Sequence, residues 1–144
     1  MTKSIISNIA IATILVSSTL VADNDAKGLF EAKCKMCHID TRPTNRADLV
    51  APPAMGVMRH VKMRYPKKED AVGFMVDYVL NPTKEKSVCM PQKIARFGLM
   101  PSQKSNVTEE ELKKISEWMF DNFPPAGFMG GMGRGAGMGM MRGQ

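Results

Sequence analysis

The sequence predicts an all-α domain of three to five short helices, and three observations point to it. Segments with apolar residues at helical spacing recur along the chain, several with a start or stop signal, and no run of alternating strands interrupts them. Residues 1–22 read as a secretory signal, which leaves 122 of the 144 residues, enough for one domain with a modest core and too few for two. Residues 126–144 are dominated by glycine and methionine and carry no hydrophobic period, so the folded domain is expected at 23–125.

The elements follow in order. The leader has one cation, Lys3, an apolar core at 9–16, and the small residue Ala22 just before Asp23, Asn24 and Asp25. That core is too short and interrupted for a membrane span, so cleavage after Ala22 and export to the periplasm are expected, with a retained anchor as the alternative. Residues 26–37 place Leu29, Phe30 and Met36 on a segment without proline, read as the first helix. Residues 39–53 hold several turn formers and little period, which suggests a loop. Residues 69–80 follow Pro66, offer acidic residues in the first turn and an apolar run to Leu80, and stop at Asn81 and Pro82, as a buried middle helix would. Pro91 and Gly98 bracket a short helix over 92–97. Thr108 with Glu111 forms a capping-box pattern opening the last helix, whose stripe of Leu112, Ile115 and Met119, with Trp118 beside it, is expected to cross the first helix near Phe30.

The chemistry lies at Cys34-Lys35-Met36-Cys37-His38. Two thiols three residues apart with a histidine directly after them have the spacing of covalent haem c attachment. On one helical turn both sulfurs can add to the two vinyl groups of one porphyrin edge, and the next residue can aim an imidazole at the iron. Three rival readings are weaker. A thioredoxin-like dithiol belongs in a chain of alternating strands and helices. A zinc site from Cys34, Cys37, Cys89 and His60 leaves His38 unexplained. A disulfide between Cys34 and Cys37 would close a strained, very short loop. Export and haem attachment also agree, because such motifs are loaded outside the cytoplasmic membrane.

On these residues the chain resembles the small class I c-type cytochromes of bacteria, over roughly 25–123. The resemblance implies a cytochrome c-like fold around one covalently bound haem c, with thioethers at Cys34 and Cys37 and His38 as the proximal iron ligand. It implies that Phe30 packs against the last helix, and that a small residue eight before the first cysteine, here Ala26 where the family usually has glycine, lets two helices approach closely. In the family a loop proline offers its carbonyl to the proximal histidine, and in Ala51-Pro52-Pro53-Ala54 the choice falls on Pro53 over Pro52. The second axial ligand is placed at Met100, in Gly98-Leu99-Met100-Pro101, a position like the family's distal methionine; Met90 and Met55 are the next candidates. His60, in a basic run, is read as solvated.

A six-coordinate iron has no vacant place for substrate, so the function implied is periplasmic transfer of single electrons, and the chain is not read as an enzyme. Removing the leader, with Lys3, leaves 19 basic against 14 acidic residues, and Arg59, Lys62, Arg64, Lys67 and Lys68 fall within ten residues. Such a face suits redox partner proteins with acidic docking surfaces. No nucleic-acid motif accompanies the charge, and a monomer is expected. Cys89 remains as a single thiol, read as packed like a small apolar residue. Met129, Met132, Met138, Met140 and Met141 offer closely spaced thioethers, so a protein that handles Cu(I) through its tail is an alternative function, as is a haem-based gas sensor.

Overall fold

The computed structural model describes residues 15–41 and 43–128. The fold is all-α: five α-helices and one 3-10 turn, with no strand among the described residues. The helices are α1 (Leu15–Lys33), α2 (Ala54–Arg64), α3 (Lys68–Leu80), α4 (Pro91–Phe97) and α5 (Glu109–Asn122). No helix among the described residues is long and apolar enough to cross a membrane.

Helix α5 is the hub, and α1, α2 and α3 all pack on it. Its start is fixed by a complete capping box: the Glu111 N–H donates to Thr108 Oγ1 at 3.2 Å and the Thr108 N–H donates to Glu111 Oε2 at 2.9 Å, satisfying two amides that a helix start leaves bare. The inner stripe of Leu112, Ile115, Trp118 and Met119 is buried. Phe30 is fully buried at the crossing with α1, its ring 5.3 Å from Trp118 and 5.5 Å from Phe123, while Trp118 and Phe123 meet edge to face at 5.2 Å. These separations lie within the range where ring quadrupoles attract, so the triangle fixes the angle of approach as well as burying area. Ala26 is the small buried residue of this contact. Gly28 has open space where a Cβ would project, so it does not mediate the approach.

Three differences from the sequence expectations stand out. The first helix ends at Lys33 and not at Cys37; beyond it Phe30 O accepts from both Cys34 N and Lys35 N, which closes the helix into turns. Helix α1 also begins at Leu15, so its backbone runs through the expected cleavage boundary after Ala22. Helix α2 lies just beyond the expected loop over 39–53, in a stretch for which the sequence predicts no element. It forms because Ala54, Met58 and Val61 share one face and are all buried, at the i, i+4, i+7 spacing of an apolar stripe.

Helix α3 begins with Glu69 and Asp70 in its first turn, where negative charge meets the positive end of the helix dipole. It buries Ala71, Val72 and Met75. Helix α4 starts with Pro91, whose missing N–H costs nothing in a first turn, and ends at Gly98 with φ of 76°. Residues 98–103 form a strap returning to α3, pinned by Gln103 N to Val79 O at 3.1 Å and by Ser102 Oγ to Leu80 O at 2.6 Å.

Candidate functional site

The Cys34–His38 turn grows directly out of α1. Cys34 O accepts from Cys37 N at 3.2 Å and from His38 N at 2.8 Å, so the motif is a compact turn rather than extended chain. Cys34 is half-buried and packs against the core, whereas Cys37 and Met36 face outward, Met36 with 86% of its surface exposed. No disulfide joins the two cysteines. Burial, followed by the neighbouring Cys37, pushes the Cys34 thiol up to about 11, with Lys33 opposing. A thiol held neutral in this way is a poor nucleophile near neutral pH, which disfavours the thioredoxin-like reading, since such sites lower the attacking thiol's value.

The His38 ring is oriented by one hydrogen bond, Nδ1 to the Pro52 carbonyl at 2.8 Å. A carbonyl only accepts, so Nδ1 carries the proton and Nε2 keeps its lone pair. Burial lowers the His38 pKa while the Pro52 contact raises it, the burial effect being larger, so the ring is held as a neutral imidazole, the form that binds metal.

Pro53 does not have the role expected of it. Its carbonyl takes the Gly56 N–H at 3.0 Å and the Val57 N–H at 3.1 Å as the cap of α2, and the acceptor for His38 is Pro52. Ala54 N donating to Ile39 O at 2.9 Å holds this loop against the residue after His38.

Of the candidate second ligands, Met90 caps α4, its carbonyl accepting from Lys93 N at 2.8 Å, and is 46% exposed. Met55 lies half-buried on α2 against the core. Met100 is half-buried in the strap after Gly98. The zinc set is not assembled: among the described residues no group of three or more His, Cys, Asp or Glu side chains could hold a metal ion. His60 is half-buried and lines a hollow with Tyr65, Phe74 and Asp77, so it is less solvated than expected. Cys89 is half-buried, and burial raises its pKa. The tail methionines Met129, Met132, Met138, Met140 and Met141 lie outside the described residues, as does the start of the leader.

Two ion-pair groups flank the turn. Lys33 Nζ donates to Asn106 O at 2.7 Å and pairs with Glu111 at 3.3 Å, tying the end of α1 to the cap of α5. The Thr108 N–H, then Lys33, holds the Glu111 carboxyl below its usual range. Lys35, between the two cysteines, pairs with Asp40 Oδ2 at 3.1 Å and with Glu31 at 3.5 Å. Asp40 Oδ1 is buried with no donor among the described residues. Neither pair was foreseen from the sequence, although Lys35 and Asp40 sit symmetrically about the second cysteine and its histidine.

The basic run is partly spent on internal contacts. Lys62 stands 4.7 Å over the Phe120 ring and Lys68 pairs with Asp121 at 2.5 Å, while Arg64 and Lys67 are exposed.

By donor chemistry the residues suit a haem: two cysteines on one turn, an adjacent neutral imidazole protonated at Nδ1, and a thioether on a separate strap. No protein-family model matches the chain, and no solved structure matches it. The chain is similar to an uncharacterized protein of Aquifex aeolicus (strain VF5), at 30% identity over 108 residues, covering 66% of this chain and 71% of that protein. At that identity and coverage, the chain belongs to the family of the uncharacterized Aquifex aeolicus protein.

Proposed function

We propose that this chain is a periplasmic carrier of single electrons, resembling the class I cytochromes c, that holds one haem c through Cys34 and Cys37 with His38 and Met100 as axial ligands. The observation that supports it most is the Nδ1 hydrogen bond from His38 to Pro52, made on the same turn that bears both cysteines. It fixes the tautomer and orientation in the manner of a metal-bound histidine. When bound, the haem would supply a one-electron ferric–ferrous couple, and with His38 and Met100 both holding it the site would leave no place for substrate.

The remaining work falls to the polypeptide. Pro52 holds the imidazole in place and adds to its basicity. Met100 would contribute a soft thioether, which would favour the ferrous state and raise the potential relative to a second imidazole. Exposed Met36 and Cys37 lie at the outer side of the turn, where a partner can approach closely. Arg64 and Lys67 add positive charge that steers an acidic partner.

The test is the purified, exported protein: oxidised and reduced absorption spectra, with intact mass. The proposal requires haem absorption that survives acid-acetone extraction, a mass increased by one haem, and a near-infrared sulfur-to-iron band. Colourless protein with both motif thiols unmodified would overturn it.

A further inference from the structure

Lys35 and Asp40 form an ion pair that spans the attachment turn, one partner between the two cysteines and the other two residues beyond His38. The two charges are screened unequally. The Lys35 side chain is 40% exposed and shared with Glu31, whereas the Asp40 side chain is 21% exposed and keeps Oδ1 buried without a donor among the described residues. Water and a second carboxylate therefore offset much of the lysine's field, while the field of the drier carboxylate is less attenuated. Together Glu31, Lys35 and Asp40 form a group of two carboxylates on one ammonium, a negative balance on the segment that carries His38.

We propose that Asp40 is a positioning and tuning residue for the iron site, its carboxylate lowering the reduction potential of a haem held at His38, with Lys35 as the partner that limits the effect. The inference rests on the haem reading. The equilibrium concerned is the addition of one electron to ferric iron, supplied by a redox partner, giving ferrous iron with no bond made or broken. A negative charge close by disfavours that added electron and a positive charge favours it, so the two members of the pair act with opposite sign.

The experiment is a mediated spectroelectrochemical titration of the full-length, haem-loaded protein and its Asp40→Asn, Lys35→Gln and doubly substituted variants. Asp40→Asn keeps the shape and removes the charge, and should shift the potential upward. Lys35→Gln should shift it downward by less, and the double variant should fall between the single ones. Lys35→Arg keeps the pair and should leave the potential in place. Mere loosening of the turn would move both single variants in the same direction, so same-sign shifts overturn the proposal, as does an unshifted Asp40→Asn. Should Asp40→Asn fail to mature, Lys35→Gln alone decides: a downward shift supports the proposal, and an unchanged or raised potential ends it. Wild-type protein that carries no haem refutes the functional reading instead, a result seen by mass before any potential is measured.

Discussion

Alanine at Gly98 and alanine at Gly28 should move stability in opposite directions, although neither added methyl meets an atom within 4 Å. At Gly98 the backbone has φ of 76° and ψ of −178°, a region essentially reserved for glycine, so a side chain there costs about 1–3 kcal/mol. Restricting the unfolded chain returns roughly 0.4–1 kcal/mol, which leaves a net loss of about 1–2 kcal/mol. At Gly28, inside helix α1 and exposed, the same change should gain about 0.5–1 kcal/mol. With roughly 4 °C of Tm per kcal/mol for a domain of this size, Gly98→Ala should melt about 4–8 °C lower and Gly28→Ala about 2–4 °C higher. Urea midpoints at constant m-value would confirm that stability, and not the denatured state, has changed. Because Gly98 launches the strap that carries Met100, the first variant should, if the proposed haem ligation holds, also weaken the near-infrared sulfur-to-iron band. A Gly98→Ala protein as stable as the parent would refute the backbone geometry on which the argument depends.

Met100→Ala should abolish that near-infrared band and open the reduced protein to carbon monoxide, whereas Met90→Ala, at the exposed cap of α4, should do neither; matched spectra of the two decide it. Thr108→Ala removes the side-chain half of the capping box and should cost about 1 kcal/mol in urea unfolding, with the spectrum of the site unchanged. In the haem-loaded protein, alkylation after denaturation followed by mass should find one reactive thiol per chain, Cys89, where a haem-free chain would show three. In the folded protein burial raises its pKa, so labelling should lag behind a free cysteine at pH 8–9 and accelerate above that range. The sign for stability follows: burial favours the neutral thiol, so this contribution is complete below the unfolded value and is lost as pH rises through the folded one.

The parts of the fold legible in the sequence are those whose signals are local. The capping residues Thr108 and Glu111, the proline and glycine around α4, and the acidic start of α3 each act within a few residues, and each marks a real element. Phe30 also packs against the last helix, as the resemblance implies. What escaped notice was α2, where two prolines, Gly56 and a dense basic run obscured the stripe of Ala54, Met58 and Val61. The exchange of roles between Pro53 and Pro52 has the same origin. Once a helix begins at Ala54, the preceding carbonyl is consumed by that helix's first amides, and the proline one position earlier is left to meet His38. The Lys35–Asp40 pair escaped for a different reason: a turn brings these side chains together, and its geometry depends on Phe30 O accepting two amides at the end of α1.

The tie from Lys33 to Asn106 and Glu111 bears on the order in which the molecule can be made. The anchor for the cysteine-bearing turn is 73 residues downstream, and the aromatic triangle that braces it closes only with Phe123. During synthesis the early turn must wait, without its support, until nearly the whole domain has emerged. A ribosome halted before residue 108 would release a chain bearing every donor of that turn and none of the α5 scaffold that holds it.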